Sequence, residues 1–569
     1  MVFTKRFIRS GLAAASLAFG LLLAAPAAVM AQEKAPSQSG GAAAVEATEP
    51  VLVVTLGSIN KLMQDVNYIT GVVGQPQAGG MFGLMAGTFT QGLDTTQPIG
   101  IFVPLVNGAP KPLAVIPTAD VKSVLKRLEA QTGPADELPD GTLAITVGAS
   151  MVFIQQQGNW AVLAPERDLL ALAPADPLAA MEGMGNDYDL ALRLKMQQVP
   201  EETRKTLTAQ IRQGFEQAMA QQNNGDTEAA RKMAENSMAQ FDQLINDTDE
   251  LSFGFNIDQS GKQIVIDGAF TAVAGSELAK IYDGQHAIPS KFSSVIRNDA
   301  AAFYHAATSI SPAAVEQSRA SLDSSLETVR NSLKNEDRLS DQQREDINEL
   351  IDRVLDLSIK SISKGRADMG VLLLADESDF RFVFGSFVAD GNEAAQIVKD
   401  LAKKVENEPK APRFKFDQSV YNGVTMHLVE ADVPAKEDEA RRVFGDVLRV
   451  HVGTGPESVY LAVGNNSEEL MKQLIDAAGK DQSTDRPVGQ LRLTLMPILA
   501  YAQSIESNDA LAAMIDALSR APDQGQLTVV QENIENGQEI TTKIGEGLLQ
   551  AIGAAARQAQ QARMQGGQF

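Results

Sequence analysis

The chain has 569 residues, no cysteine, one Trp, and 72 acidic against 49 basic side chains, for a formal net charge of −23. The lack of cysteine excludes thiol catalysis, cysteine-based metal sites, disulfide redox chemistry and a lipoprotein anchor. The acidic balance repels nucleic acid and anionic membrane surfaces, and the scarcity of aromatics argues against a carbohydrate-stacking platform.

The N-terminus reads as a secretory signal peptide over 1–31. Lys5, Arg6 and Arg9 form its positive region, an Ala/Leu-rich run from Leu12 to Ala25 is its apolar region, and Pro26 breaks that run. Val29 and Ala31 supply the small residues a signal peptidase reads, which places cleavage after Ala31. The apolar run is short for a membrane span of about 20 residues, and no later window looks like a span. A periplasmic or secreted product is expected. Losing the three leader cations takes its formal charge from −23 to −26. Residues 32–50, rich in Ala, Gly, Ser and Glu, read as a disordered linker.

A first half is expected over 51–283. Val51 to Leu56 is a buried-type strand, and an Ala/Gly/Met-rich stretch to Leu93 reads as helical with glycine breaks at Gly79, Gly80, Gly83 and Gly87. Ile101 to Val106 and Leu113 to Ile116 flank Asn107-Gly108, a hairpin signal. Asp120 opens a helix with Val121, Val124, Leu125 and Leu128 on one face. Leu143 to Val147, Val152 to Ile154, Trp160 to Leu163 and Leu190 to Leu194 read as strands, with a helix from Glu166 between the last two. Pro200 starts a helix at a position where its missing N–H costs nothing, and a second helix is expected from Thr227 to Ile245. Phe253, Phe255 and Ile257 alternate, Gln259-Ser260-Gly261 turns the chain, and Ile264, Ile266 and Phe270 return before a short helix from Glu277 to Tyr282.

Residues 284–296 read as a connector. A second half is expected over 297–560, with a flexible tail at 561–569. Ala300 to His305 is strand-like. Ser311-Pro312 caps a helix carrying Leu322, Leu326, Val329 and Leu333. Ser340 and Gln343 form a capping box for another helix, carrying Ile347, Ile351, Val354 and Leu357. The two are expected to pair as a helical hairpin over 311–362. Val371 to Leu374 and Phe380 to Phe387 flank a turn at Asp376 to Asp379, and a helix runs from Asn392 to Val405. Strands are expected at Thr425 to Val429, Leu448 to Val452, Val459 to Val463 and Leu491 to Leu495, with a helix from Glu468 to Ile475. Leu527 to Val530 and Glu539 to Thr542 flank Asn536-Gly537, and a last helix runs from Glu546 to Arg563.

Local echoes relate the two stretches. Gly141-Thr142-Leu143 sits opposite Gly423-Val424-Thr425, Trp160 to Leu163 opposite Val459 to Val463, Leu190 to Leu194 opposite Leu491 to Leu495, and Pro200 opposite Pro497. The hairpin and helix at 251–282 echo both 369–405 and 525–560. The expected fold class is therefore α+β: two related halves, each a mainly antiparallel sheet covered by amphipathic helices on one face. In layout the chain resembles large exported bacterial proteins of unknown function with duplicated strand-hairpin–helix domains. That resemblance rests on architecture and implies no activity and no site residues.

Candidate chemistry is sparse. His286, His305, His427 and His451 show no metal-ligand spacing, and the faces of His427 and His451 read as solvated. Ser123/Lys126 and Ser361/Lys364 match a serine–lysine spacing without its partner motifs and read as solvated helix faces. Gly453-Thr454-Gly455 lacks the third glycine of a dinucleotide fingerprint, Ser458 standing in its place, and reads as a loop. Gly261-Lys262 is followed by Gln263, so there is no phosphate-binding loop. Gly566-Gly567-Gln568 is the tripeptide of peptide-release factors but reads as a tail, and the terminal Phe569 of outer-membrane barrels here follows a helix. The carboxylate groups Asp247/Asp249/Glu250, Asp376/Glu377/Asp379 and Glu532/Glu535 lack calcium-loop order and read as turn formers.

No catalytic, cofactor or metal residue is assigned. The expected role is a non-catalytic binding or scaffold protein of the cell envelope, with an unknown protein or ligand partner. One alternative is a carrier of an apolar ligand or lipid using Met81-Phe82 and Phe380, Phe382 and Phe384. Another is a hydrolase with dispersed carboxylates. The helix pair at 311–362 is a candidate homo-oligomer arm.

Overall fold

The computed structural model describes residues 49–147, 150–222, 238, 241–334, 340–406, 411–506 and 508–566. The expected leader, nearly all of the 32–50 linker, most of the expected 227–245 helix and the last three residues lie outside them.

The described chain begins with β1 (Leu52–Leu56), α1 (Ile59–Val72) and α2 (Pro76–Thr90). The single helical stretch expected there is two helices, because Gly74 at φ 76° ends the first and Pro76 opens the second. Next come β2 (Ile99–Val103), the small hairpin β3 (Leu105–Val106) and β4 (Ala109–Pro110), β5 (Leu113–Pro117) and α3 (Val121–Thr132). Asn107 and Gly108 both have positive φ, as the tight hairpin turn requires. The strands β6 (Asp136–Glu137), β7 (Leu143–Val147), β8 (Ser150–Gln157), β9 (Trp160–Ala164) and β10 (Leu190–Lys195) follow. The helix expected from Glu166 is a 3₁₀ turn at Arg167–Leu172 and two single turns, Pro177–Ala180 and Met184–Asp187, separated by Gly183 at positive φ. Then come α4 (Glu201–Gln222), β11 (Thr248–Asp258), β12 (Gln263–Ala272) and α5 (Glu277–Tyr282).

The second run holds β13 (Ala302–Ser309), α6 (Pro312–Lys334), α7 (Asp341–Ile362), β14 (Arg366–Ala375), β15 (Phe380–Phe387) and α8 (Gly391–Val405). It continues with β16 (Arg413–Tyr421), β17 (Val424–Asp432), α9 (Asp438–Phe444), β18 (Val447–Gly455), β19 (Ser458–Gly464) and α10 (Ser467–Ala477). Last are β20 (Gly489–Thr494), α11 (Leu495–Ile505), α12 (Asp509–Arg520), β21 (Gln526–Ile534), β22 (Gly537–Gly545) and α13 (Glu546–Gly566). Leu495, expected in a strand, instead begins a helix whose first turn tolerates Pro497. Ser340 and Gln343 form the expected capping box, and an ion pair between Arg330 and Asp352 joins α6 to α7.

All the long strands enter one antiparallel sheet of 20 strands. From one edge to the middle it reads β6-β7-β8-β9-β5-β2-β1-β10-β11-β12. From the other edge to the middle it reads β16-β17-β18-β19-β15-β14-β13-β20-β21-β22. The two runs meet where β12 pairs with β22, from Gln263 opposite Gly545 to Thr271 opposite Gly537.

Cores lie on both faces rather than one. α10 packs Leu470, Met471 and Leu474 on Phe303, Leu372, Val383 and Ala462. The 167–181 segment packs Leu169, Leu170 and Met181 on Val53, Phe102, Val115 and Val162. On the other side of β9, α3 packs Val121 and Leu125 on Leu143, Ile154 and Ala161. Because β9 is apolar at both Ala161 and Val162, it attracts cover on both sides. The 284–296 connector is itself packed, with Phe292 and Val295 fully buried.

Candidate functional site

Residues opposite each other in an antiparallel ladder share a face, so the register assigns every strand position to one of two faces. One transverse row runs Ile99, Leu56, Leu190, Phe255, Ile266, Thr542, Val529, Leu491, Tyr304, Val371, Phe384, Leu461, Val452, His427. The next row on the same face runs Ile101, Val54, Leu192, Phe253, Gly268, Ile540, Gln531, Gly489, Ala306, Met369, Ser386, Val459, Thr454, Thr425. From β2 to β18 along the ladder, this face carries no Asp, Glu, Lys or Arg. The charges of the central strands, among them Arg193, Glu250, Asp267, Glu539, Lys543 and Arg492, lie on the opposite face.

An apolar sheet face ordinarily marks the core. Here Leu192, Phe253, Phe255, Ile266, Val529, Leu491, Val371 and Phe384 are all only half-buried, and Ile540 at the centre is 42% exposed. By contrast Phe102, Phe303 and Val383 on the opposite face are at most 4% exposed. Phe380, Phe382 and Phe384, singled out in the sequence, lie on the uncharged face, in the strand that crosses it between β14 and β19. Phe380 stacks on Tyr501 of α11 at 5.9 Å and meets Phe444 of α9 edge-on at 6.1 Å. Met81 and Phe82, paired with them in the sequence reading, sit on α2 instead and are exposed there. The strand residues of this face offer apolar surface and no acid, base or charged nucleophile. Burial pushes the Tyr304 phenol above its usual range, and His427 at the end of the row is committed elsewhere.

His427 is buried, not solvated as the strand pattern suggested. Its Nδ1 accepts the Asp417 N–H at 3.1 Å, so its Nε2 donates to Thr454 Oγ1 at 3.0 Å. Asp417 reaches it because β16 bulges there, with a register shift and φ 52°. Burial holds the His427 pKa below its ordinary value. The His451 side chain is only 18% exposed, 3.7 Å from Glu468, and is lowered for the same reason. Thr454 places Gly453-Thr454-Gly455 within β18, so this segment is strand and not the expected loop.

Three residues far apart in sequence meet in the interior. Ser290 Oγ donates to Asp368 Oδ1 at 2.6 Å and accepts the Phe292 N–H at 2.9 Å. His305 Nε2 lies 3.0 Å from the same oxygen and must therefore donate to it. Serine stands between histidine and aspartate, whereas acyl transfer needs histidine in the middle. The oxygen is saturated, and all three side chains are at most 2% exposed, so this is an internal tie and not a nucleophile. Burial, more than the neighbouring Arg486, lowers the His305 pKa to about 4.

A second, partly buried network holds α1 to the ends of β10 and β11. Lys61 Nζ pairs with Asp189, lies 3.3 Å from Asp65 and donates to Asn256 at 2.9 Å. Gln259 donates to Asp65 at 2.7 Å, and the Ile257 N–H to Asp189 at 2.6 Å. Burial raises the Asp65 pKa. Neither this network nor the serine tie has a local sequence signal, since each joins segments more than sixty residues apart.

The remaining motifs serve local structure. Ser123 donates to Asp120, the N-cap of α3. Ser361 is buried, contrary to the expected solvated face. It donates to Leu357 O at 2.6 Å and accepts the Ala389 N–H at 2.9 Å, while Lys364 lies past the helix end. Lys262 occupies a positive-φ turn. Asp376 accepts the Ser378 and Asp379 N–H groups in the β14–β15 turn, and Asp247 accepts the Leu278 N–H. Among the described residues, no three His, Asp or Glu groups are placed to hold a metal ion.

No protein-family model, no curated protein and no solved structure matches the chain.

Proposed function

We propose that this protein is an exported, non-catalytic binding protein of the bacterial cell envelope that carries an apolar ligand of the lipid class on the uncharged face of its sheet. The observation that supports this reading is that face itself: no charge from β2 to β18, and large apolar side chains left half-open. Apolar surface in water is disfavoured by about 25 cal/mol per Å², and soluble monomers rarely leave contiguous apolar patches of more than a few hundred Å² uncovered. Acyl chains suit such a face because they need no hydrogen-bonding partner. The sequence supports export to the periplasm or beyond, with cleavage after Ala31.

In this reading the protein is two related halves, 51–283 and 297–560, joined at the β12·β22 seam. The support is that both runs pair their ten strands in one order, with helices after β1 and β13, β5 and β15, β10 and β20, and β12 and β22, although α9 has no counterpart among the described residues of the first run. Of the segments paired in the sequence, β7 with β17, β9 with β19, β10 with β20 and β11–β12 with β21–β22 hold corresponding ladder positions, whereas 369–405 falls opposite β2, β5 and α3 rather than 251–282. A two-fold relation centred on Asp267 opposite Thr541 would double a ligand surface across the seam. The helix pair α6–α7 belongs to the second half as a hairpin. The hydrolase alternative draws no support from the buried carboxylates: Asp65 and Asp189 are engaged by Lys61, Asp368 by Ser290 and the Lys291 N–H, and Glu430 by Lys415 and Arg449.

The test is displacement of a fluorescent fatty acid from the mature protein. Ile540→Lys, at the exposed centre of the face, is expected to weaken binding by at least about tenfold, as charge desolvation requires. Glu539→Gln, one residue away on the opposite face, is expected to leave it unchanged. Equal binding by both variants, or none by the parent protein, contradicts the reading.

A further inference from the structure

Independently of the sheet face, we propose that α2 docks flat on the surface of an electrically neutral lipid bilayer. From Val66 to Leu93 the sequence has no charged residue, although 21% of the chain is charged. Within that stretch α2 exposes Met81 (66%), Phe82 (46%), Leu84 (80%), Met85 (63%) and Phe89 (51%).

The helix pair is built so that these side chains face outward. Gly79 and Gly83 form the inner side of α2. A Cβ on Gly79 would run into the Thr70 hydroxyl and the Asn67 side-chain oxygen and come within 3.2 Å of Asn67 Cα, so the lack of a side chain there lets α2 lie this close to α1. α1 is in turn fastened below. Tyr68 donates to Glu546 at 2.8 Å, Arg557 of α13 donates to Val73 O at 2.5 Å, and Lys61 joins its partly buried network. A rigid platform therefore holds the apolar side of α2 outermost.

Length and chemistry choose the occupant. At about 1.5 Å per residue, α2 is about 22 Å long, short of the roughly 30 Å hydrocarbon core. Among the described residues no helix is long and apolar enough to cross a membrane. The five exposed side chains offer on the order of 600 Å², taking about 200 Å² for each when fully exposed, and a stable protein interface buries about 800 Å² per partner. The set also lacks the Trp, Tyr and Arg that anchor protein interfaces. Met, Leu and Phe can enter the acyl boundary without shape matching. An anionic surface is disfavoured by the net charge of −23, and the neighbouring cation Arg127 is occupied by Gln91 O at 2.6 Å.

The experiment is flotation of the full mature protein with phosphatidylcholine vesicles. The parent is expected to float, equally in 0.5 M salt and no better when anionic lipid is added. Leu84→Gln with Met85→Gln is expected to lower the bound fraction at least about tenfold. Phe89→Gln, made separately, is expected to lower it less. Ile540→Lys is expected to float like the parent, which separates this proposal from the carrier reading. Circular dichroism melts confirm that each variant is folded. The proposal is overturned if the Gln variants float normally, if binding requires anionic lipid and is lost in salt, or if the parent forms a dimer that the Gln variants dissociate and does not float.

Discussion

At the scale of single residues, the interior polar groups act as ties between segments, and their protonation sets an acid limit on the fold. His305 has an ordinary pKa of 6.5, lowered to about 4 in the folded protein by burial. The folded state therefore binds fewer protons than the unfolded chain below pH 6.5. Its contribution is complete above about pH 6.5 and is lost as pH falls toward 4, by about 3 kcal/mol in all. Urea unfolding followed from pH 7.5 to 4 is expected to show that loss. His305→Gln keeps an N–H to give to Ser290 and cannot titrate, so its acid limb is expected to be flatter by that amount. An unchanged slope would mean that His305 accepts protons freely in the folded state. His427 and His451, lowered by burial in the same direction, add to the slope in both proteins.

At the scale of elements, alternation and turn chemistry carried most of the reading. The β11–β12, β14–β15 and β21–β22 hairpins stand where alternating apolar residues and turn signals put them. β16 was not legible, because the bulge between Lys415 and Ser419 breaks its alternation. The burial of His427 was not legible either, since it depends on a bulge in a neighbouring strand. Period-two patterning shows that a strand has two unlike faces but not which face is covered. Along β11 the apolar set Leu251, Phe253, Phe255 would ordinarily be assigned to the core, yet it is half-open. The breaks expected at Gly79, Gly80, Gly83 and Gly87 all lie inside α2, whereas the turn between α1 and α2 falls at Gly74, which the pattern did not mark. Gly79 lies at the contact of α2 with α1. Gly79→Leu is expected to push the two helices apart at a cost of about 1–3 kcal/mol, the usual range for overpacking. Faster amide exchange through α2 would register it, whereas Gly80→Ala, with open space at its Cβ, is expected to leave exchange unchanged.

At the scale of the whole molecule, two strand runs with one pairing order share a continuous sheet, joined edge to edge at β12 and β22. That joint makes two central strands of what would be two sheet edges, and so removes sites for unwanted pairing. It also makes the uncharged face continuous across the seam, something no single stretch of sequence displays, because the face exists only once the register of every strand is known. The central claim is that this face holds an apolar ligand. Native mass spectrometry of the protein, purified from its native cells without detergent, tests it most directly. The account predicts a discrete excess mass in the lipid range that Ile540→Lys loses. A clean ligand-free mass for the parent protein, with no lipid extractable from it, would contradict it.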